Sequence, residues 1–214
     1  DWSSDVCSSD LVKIVKDGDT LTTSGFVSSC CPEALNKAIE KRFLETGSPK
    51  NLTLMYGSSQ GNRDGSGADH YAHKGLLKRI IAGHLNTAPK VGAMCMNNEI
   101  EGYNLPQGAL LHLFRDIAAH RIGTITHVGL DTFVDPRNGG GKINEITKED
   151  LVEVVNIAGQ ERLLYKAFPI NVGFIRGTYA DEYGNITFEK EITPLEGTAT
   201  AQAVKNSGDR KSTR

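Results

Sequence analysis

Tryptophan is almost missing from this 214-residue sequence, which holds one, with three methionines and four cysteines. The cysteines are Cys7, Cys30, Cys31 and Cys95, two of them adjacent, and this spacing excludes a disulfide framework. Free thiols point instead to a reduced, cytoplasmic protein. Long apolar runs are lacking too. No stretch approaches the ~20 apolar residues that span a bilayer, so no membrane-spanning helix is expected. Nor is there an excess of one charge: 24 Lys and Arg stand against 26 Asp and Glu, a net charge of −2. That balance excludes the basic surface of a nucleic-acid or anionic-membrane binder. His70 and His73 are the one pair of histidines at a ligand-like spacing, but no third ligand is placed beside them, and no metal is expected.

The two ends lack the patterning of the rest. Residues 1–11 (DWSSDVCSSDL) have no apolar period and no signal-peptide layout. Residues 209–214 (DRKSTR) can be encoded as GAT CGG AAG AGC ACA CGT, and the reverse complement of that DNA, in a shifted frame, encodes residues 6–10. Two protein segments have no reason to be antisense to one another. Both ends therefore read as translated adapter DNA rather than native protein, and residues 12–208 as one domain of a longer natural chain.

Between the ends, strand-like and helix-like pieces alternate. Residues 20–23 are a short β-prone run. Pro32 suits a helix start, with Leu35, Ala38, Ile39 and Phe43 at helical spacing and Gly47 as the stop. Residues 51–56 read as a buried strand, followed by a Gly- and Ser-rich surface loop to Asp69. Leu76, Leu77, Ile80 and Ile81 suggest the next helical face, and residues 91–96 a strand. The stripe of Leu110, Leu111, Phe114, Ile117 and Ala118 predicts a helix over 107–120. Residues 126–130 are strand-like, 135–142 a long turn, and 152–157 and 162–167 a hairpin. Residues 170–176 and 185–189 are expected to be strands and 198–205 a helix. The fold class that follows is α/β: an open, mostly parallel sheet with helices on both faces and a strand-rich second half.

Two constellations carry chemistry. Asp17-Gly18, a short β-prone run, Ser24-Gly25-Phe26 and Cys30-Cys31-Pro32 place a glycine turn between a strand and a helix start. Ligands of open α/β sheets bind at such loops. By itself the pattern is as readily a generic βα turn as a site. Asn104-Leu105-Pro106-Gln107-Gly108 closes a loop and opens the strong helix. A fixed amide there can steady a developing oxyanion, or can simply cap the helix. Glu196-Gly197 reads as a glutamate on the surface at a helix start, and Glu99 and Glu101 as solvated.

These blocks, in this order, resemble the class I CoA-transferases, and the fused propionate and acetate CoA-transferases in particular. Further blocks shared are Arg42-Phe43-Leu44-Glu45-Thr46-Gly47, Asp69-His70-Tyr71-Ala72-His73, Val134-Asp135-Pro136-Arg137, Gly139-Gly140-Gly141-Lys142 and Arg176-Gly177-Thr178. The sequence departs from the family at Ser24, where a first glycine is common, and at Cys30, where Gly-x-Pro is expected. The resemblance implies transfer of CoA from a short-chain acyl-CoA to a carboxylate through a glutamyl-CoA intermediate, with CoA as substrate and no other cofactor. It implies Gln107 as the oxyanion-hole candidate and Gly25, Phe26 and Gly108 as candidate substrate-binding residues. The nucleophilic glutamate is expected in a C-terminal half outside this sequence, which leaves the fragment inactive, and the parent is expected to be a homo-oligomer. Two alternatives stay open: the α subunit of a two-chain CoA-transferase, and a ligand-sensing module of the related sugar-phosphate-binding superfamily.

Overall fold

The computed structural model describes residues 8–208. Residues 1–7 and 209–214, most of the adapter-like ends, lie outside the described residues. A short helical turn α1 (Ser8–Leu11) runs into a 3-10 turn, Val12–Ile14. Five strands then form a parallel sheet in the order β4-β3-β2-β1-β8: β1 (Thr20–Thr23), β2 (Leu52–Met55), β3 (Leu77–Ala82), β4 (Glu101–Asn104) and β8 (Val172–Phe174). A second, antiparallel sheet has the order β5-β7-β6, with β5 (Gly123–Thr126), β6 (Val152–Ile157) and β7 (Gln160–Lys166).

Helices cover both faces of the parallel sheet, because β2 and β3 send apolar residues to each side. Leu52, Leu54 and Ile80 join a core with Ile39 of α2 (Glu33–Thr46) and Val91 and Cys95 of α3 (Pro89–Met96). Met55 and Ile81 face the other way. They pack with Leu110, Leu113 and Phe114 of α4 (Gln107–Ala118) and with Ala203 and Val204 of α5 (Gly197–Asn206). Among the described residues no helix is long and apolar enough to cross a membrane.

The element boundaries for β1, β2, α2, α4, α5 and the β6–β7 hairpin fall close to where the sequence puts them. Four expectations are corrected. Residues 77–82 are a strand, not a helical face. Ile80, Ile81 and Ala82 alternate between two apolar layers, with Leu77 on the same side as Ile80, and a strand buried on both sides shows the same apolar run as a buried helix. Residues 89–96 are a helix, not a strand. Pro89 sits at its first position, and Asp69 Oδ1 accepts from the N–H groups of Lys90 (2.9 Å) and Val91 (3.2 Å), capping it from a distant turn. The strand expected at 126–130 lies earlier, at Gly123–Thr126. Residues 185–189 form no strand, only a single bridge between Ala180 and Ile186.

Candidate active site

The strands of the parallel sheet all point their carboxyl ends to one edge, where β1 delivers residues 24–31, β2 residues 56–61, β3 residues 83–84, β4 residues 105–108 and β8 residues 175–177. Gly25 is required where it stands. Its φ is 126°, and a Cβ there would meet Cys31 Cα and Ser29 O at 3.0 Å. Phe26 follows with its ring half-exposed, its N–H and C=O both tied to Ser29. Val27 and Cys30 each have a φ of 55°, a left-handed conformation that only glycine adopts without cost.

This loop is pinned from beneath. The buried amide of Gln60 donates to the carbonyls of Thr23 (2.7 Å) and Ser24 (2.9 Å) and accepts from the Thr23 hydroxyl (2.6 Å). Gln60 thus continues the pairing of β1 where β2 has already turned away. Val27 donates to Ser59 O and accepts from Gly61, and Ser58 O accepts from His84. The β2 loop therefore corrects the surface reading, since residues 57–61 are buried. No single motif announces Gln60; a Ser-Ser-Gln after a buried strand was its only trace in the sequence.

Gln107 opens α4. Pro106 is the N-cap, no side-chain bond closes the turn, and Gln107 and Gly108 are exposed. The loop before it is rigid. Leu105 N–H donates to Ala82 O, Asn104 N–H to Gly141 O (2.8 Å), and the Asn104 side chain to Gly83 O. Gly141, at φ 73°, lies so close that a Cβ would meet Leu105 Cδ2 at 2.6 Å, which is what the triple glycine at 139–141 supplies. Asp135 anchors the same loop. Its buried carboxylate accepts from Arg137 Nη2 at 2.7 Å and Nε at 2.9 Å, and the Arg137 side chain holds its pKa well below the usual carboxylate range.

Gly25, Phe26, Gln107 and Gly108 therefore share the carboxyl edge, but β2 and β3 separate the two pairs. Three strand spacings are about 14 Å. An elongated ligand suits two loops placed on strands so spaced.

Other candidates fall elsewhere. Glu196 corrects the surface reading: it is half-buried, its Oε1 is shut off from solvent, and burial raises its pKa. Glu99 is exposed, but Glu101 is in β4 and pairs with Arg79. Cys30, where the resemblance expects glycine, donates its thiol to Thr193 O at 3.0 Å. Burial pushes the Cys31 thiol up to about 12, far from the reactive thiolate range. Glu40 binds both His70 and His73, and Glu33 binds His70 from the other side. Among the described residues no group of three or more His, Cys, Asp or Glu is arranged to hold a metal.

An open parallel α/β sheet with glycine-pinned loops gathered at its carboxyl edge defines a protein that binds its ligand at that edge. The chain belongs to the Coenzyme A transferase family, whose pattern it matches over residues 8–206. It is 43% identical over 203 residues to a caffeate CoA-transferase of Acetobacterium woodii, covering 95% of this chain and 39% of that protein. It is 30% identical over 195 residues to the α subunit of an acetoacetyl-CoA:acetate/butyrate CoA transferase of Clostridium acetobutylicum, covering 91% of this chain and 79% of that subunit. The crystal structure of the acyl-CoA transferase YdiF of Escherichia coli O157:H7, a thioester complex with CoA, superposes with a TM-score of 0.93 at 35% identity. That match covers 98% of this chain and 42% of the other. The chain thus spans about two fifths of the length of the caffeate enzyme it matches.

Proposed function

We propose that the intact protein transfers CoA from a short-chain acyl-CoA to a carboxylate such as acetate or propionate. The observation that carries this is the pair of separated loops at one sheet edge. Phe26 and Gly25 stand at one end and Gln107 and Gly108 at the other, a span that suits an extended acyl-CoA rather than a free acid. In this reading a glutamate from outside this chain attacks the thioester carbonyl. The C–S bond breaks, CoA leaves as thiolate, and an acyl-glutamyl anhydride remains. The thiolate then attacks the glutamyl carbonyl, releasing the acyl group as its carboxylate and leaving a glutamyl-CoA thioester. The acceptor carboxylate reverses both steps. The Gln107 amide donates to the carbonyl oxygen as it gains charge. Coenzyme A is a substrate here and no further cofactor is invoked. The free, buried thiols suit a cytoplasmic setting.

The Clostridium match favours a second reading, in which the chain is most of an α subunit working with a separate β subunit. In both, the catalytic glutamate is supplied by chain not present here, and the working enzyme is an oligomer.

The test is an assay of the full-length enzyme with propionyl-CoA and labelled acetate. Wild type is expected to form acetyl-CoA, and mass spectrometry to detect a glutamyl-CoA adduct. Gln107→Ala is expected to lower kcat about 100-fold with little change in KM, and its fold should be unaffected, since the side chain is exposed. Absence of transfer, or a Gln107→Ala enzyme of full activity, would overturn the assignment.

A further inference from the structure

Helix α2 and the 3-10 turn Gly67–Tyr71 bring together four titratable side chains that the transfer chemistry leaves unused: Glu33, Glu40, His70 and His73. The His70 ring is buried between the two glutamates. Its Nδ1 lies 2.5 Å from Glu40 Oε2 and its Nε2 2.8 Å from Glu33 Oε1. His73 Nε2 takes the other Glu40 oxygen at 2.6 Å. An ionised carboxylate only accepts, and a neutral imidazole has one donor. Burial raises the Glu40 pKa, but the His73 and His70 bonds outweigh it and hold the carboxyl ionised below its ordinary value. With both glutamates ionised, both contacts of His70 are hydrogen bonds only when both ring nitrogens carry hydrogen.

From this cluster a chain of contacts runs to the candidate site. Glu33 Oε2 accepts from the Gly67 N–H at 3.0 Å. Gly67, at φ 64°, lies so close to the β2 loop that a Cβ would meet Gly61 N at 2.5 Å and Gln60 C at 2.8 Å. Ala68 N–H donates to Gln60 O at 3.3 Å. Gln60 in turn carries the carbonyls of Thr23 and Ser24 on its amide, just before Gly25 and Phe26. A neutral tie, Tyr71 OH to Asn36 Oδ1 at 2.9 Å, joins the turn to α2 beside the charged ones. Other charges surround the cluster. Lys37 Nζ lies 3.8 Å from Glu33 Oε1, Asp64 accepts from the Ser66 N–H, Asp69 is turned to the start of α3, and Lys90 of α3 lies beside Gly65. Both His70 nitrogens, however, are taken by the glutamates.

We propose that His70 is a proton-operated positioning residue: as an imidazolium it clamps α2 to the 67–71 turn, and so holds Gly67 against Gln60 and the Gly25–Phe26 loop in place. Loss of a ring proton turns a nitrogen lone pair toward a carboxylate oxygen, and that buried contact is then unbonded and repulsive. The clamp is therefore closed while the glutamates are ionised and the ring is charged, and it opens as rising pH removes the ring proton. The consequence for catalysis rests on the transferase reading; the clamp does not.

NMR of the ring nitrogens and of amide exchange, on this chain, tests the clamp. At about pH 6 both His70 ring nitrogens are expected to give the protonated signal, and a ring with one bare nitrogen there overturns the proposal. As pH is raised until the ring proton is lost, the Gly67 protection factor is expected to fall about tenfold in step with it, while Leu21 and Thr22 in β1 keep theirs. A Gly67 protection factor that does not follow the ring overturns the clamp. Glu40→Gln separates the proton from the packing. Its amide oxygen still accepts from His73, and its NH2 donates to Nδ1 of a neutral ring whose Nε2–H reaches Glu33. This variant is expected to keep Gly67 protected on the alkaline side, and a loss equal to that of wild type overturns the proposal. Should it not fold, His70→Gln, which can donate to one glutamate only, is expected to show the lowered Gly67 protection already at about pH 6, and wild-type protection there overturns the clamp. In the full-length enzyme, KM for acyl-CoA is expected to rise across the same titration with kcat retained, and Glu40→Gln to remove the rise. A flat wild-type KM, or a change confined to kcat, counts against positioning. A full-length wild type without transferase activity would sink the transferase reading and leave the exchange result standing.

Discussion

At position 30 the side chain and the backbone want different things. The φ of 55° favours glycine, which the resemblance also expects there, yet the chain carries a cysteine with its thiol bonded to Thr193. A left-handed L-residue costs roughly 1–2 kcal/mol. Glycine relieves that cost but loses more backbone entropy on folding and the weak S–H bond. The two effects nearly cancel, so Cys30→Gly is expected to shift stability by less than about 1 kcal/mol. Cys30→Val keeps a buried apolar side chain but adds a β-branch, and is expected to destabilise by about 2 kcal/mol. Thermal denaturation of the two variants checks the order; a Val variant as stable as the Gly variant would show that backbone strain is not what governs this site. The same residue marks how far a motif can be read. The glycine pattern around Gly25 and Phe26 points to the loop, but what holds the loop in place, Gln60 in the loop after β2, lies 35 residues away from Gly25 and follows no period.

Elements with local causes were legible; those set by distant partners were not. The hairpin β6–β7 needed only alternation and a two-residue turn, and its turn residues Ala158 and Gly159 have φ of 51° and 79°. That is the pair of left-handed residues a type I′ turn demands, and asparagine suits the first position better than alanine. Ala158→Asn is expected to stabilise the chain by up to about 1 kcal/mol, seen as a Tm rise of about 2–4 °C. No rise, with the hairpin intact, would place the strain elsewhere. Helix α4 was equally clear, because one apolar stripe serves one core. By contrast β3 and α3 exchanged roles between expectation and structure. Strand β3 is buried on both sides, so its pattern carries no period, and α3 is eight residues long and depends on a cap from Asp69 in another segment. Neither cause is visible in a window of ten residues.

Across the whole molecule, the two helical layers are tied to the sheet by different forces. The α4 and α5 layer is held by packing alone at its centre, whereas α2 is also joined to the 3-10 turn Gly67–Tyr71 and to His73 through carboxylates. Burial pushes the Glu40 carboxyl up, but the bonds from His73 and His70 outweigh it, and its pKa is lowered from 4.5. A carboxylate lowered on folding contributes stability above its unfolded value and loses it as pH falls below about 4.5. The urea midpoint of wild type is therefore expected to drop between about pH 5 and 3, and Glu40→Gln to flatten that part of the curve; superimposable curves would remove Glu40 from the acid response. The sheet order itself has a temporal consequence. Strand β1 lies between β2 and β8, and Thr20 N–H donates to the side chain of Asn171, 151 residues further along. At ribosomal rates of about 5–20 residues per second, some 8–30 s separate the synthesis of β1 from that of its second neighbour. For that time the nascent chain carries a strand paired on one side and open on the other, so its exposure to edge-to-edge association falls during synthesis, before β8 closes that side.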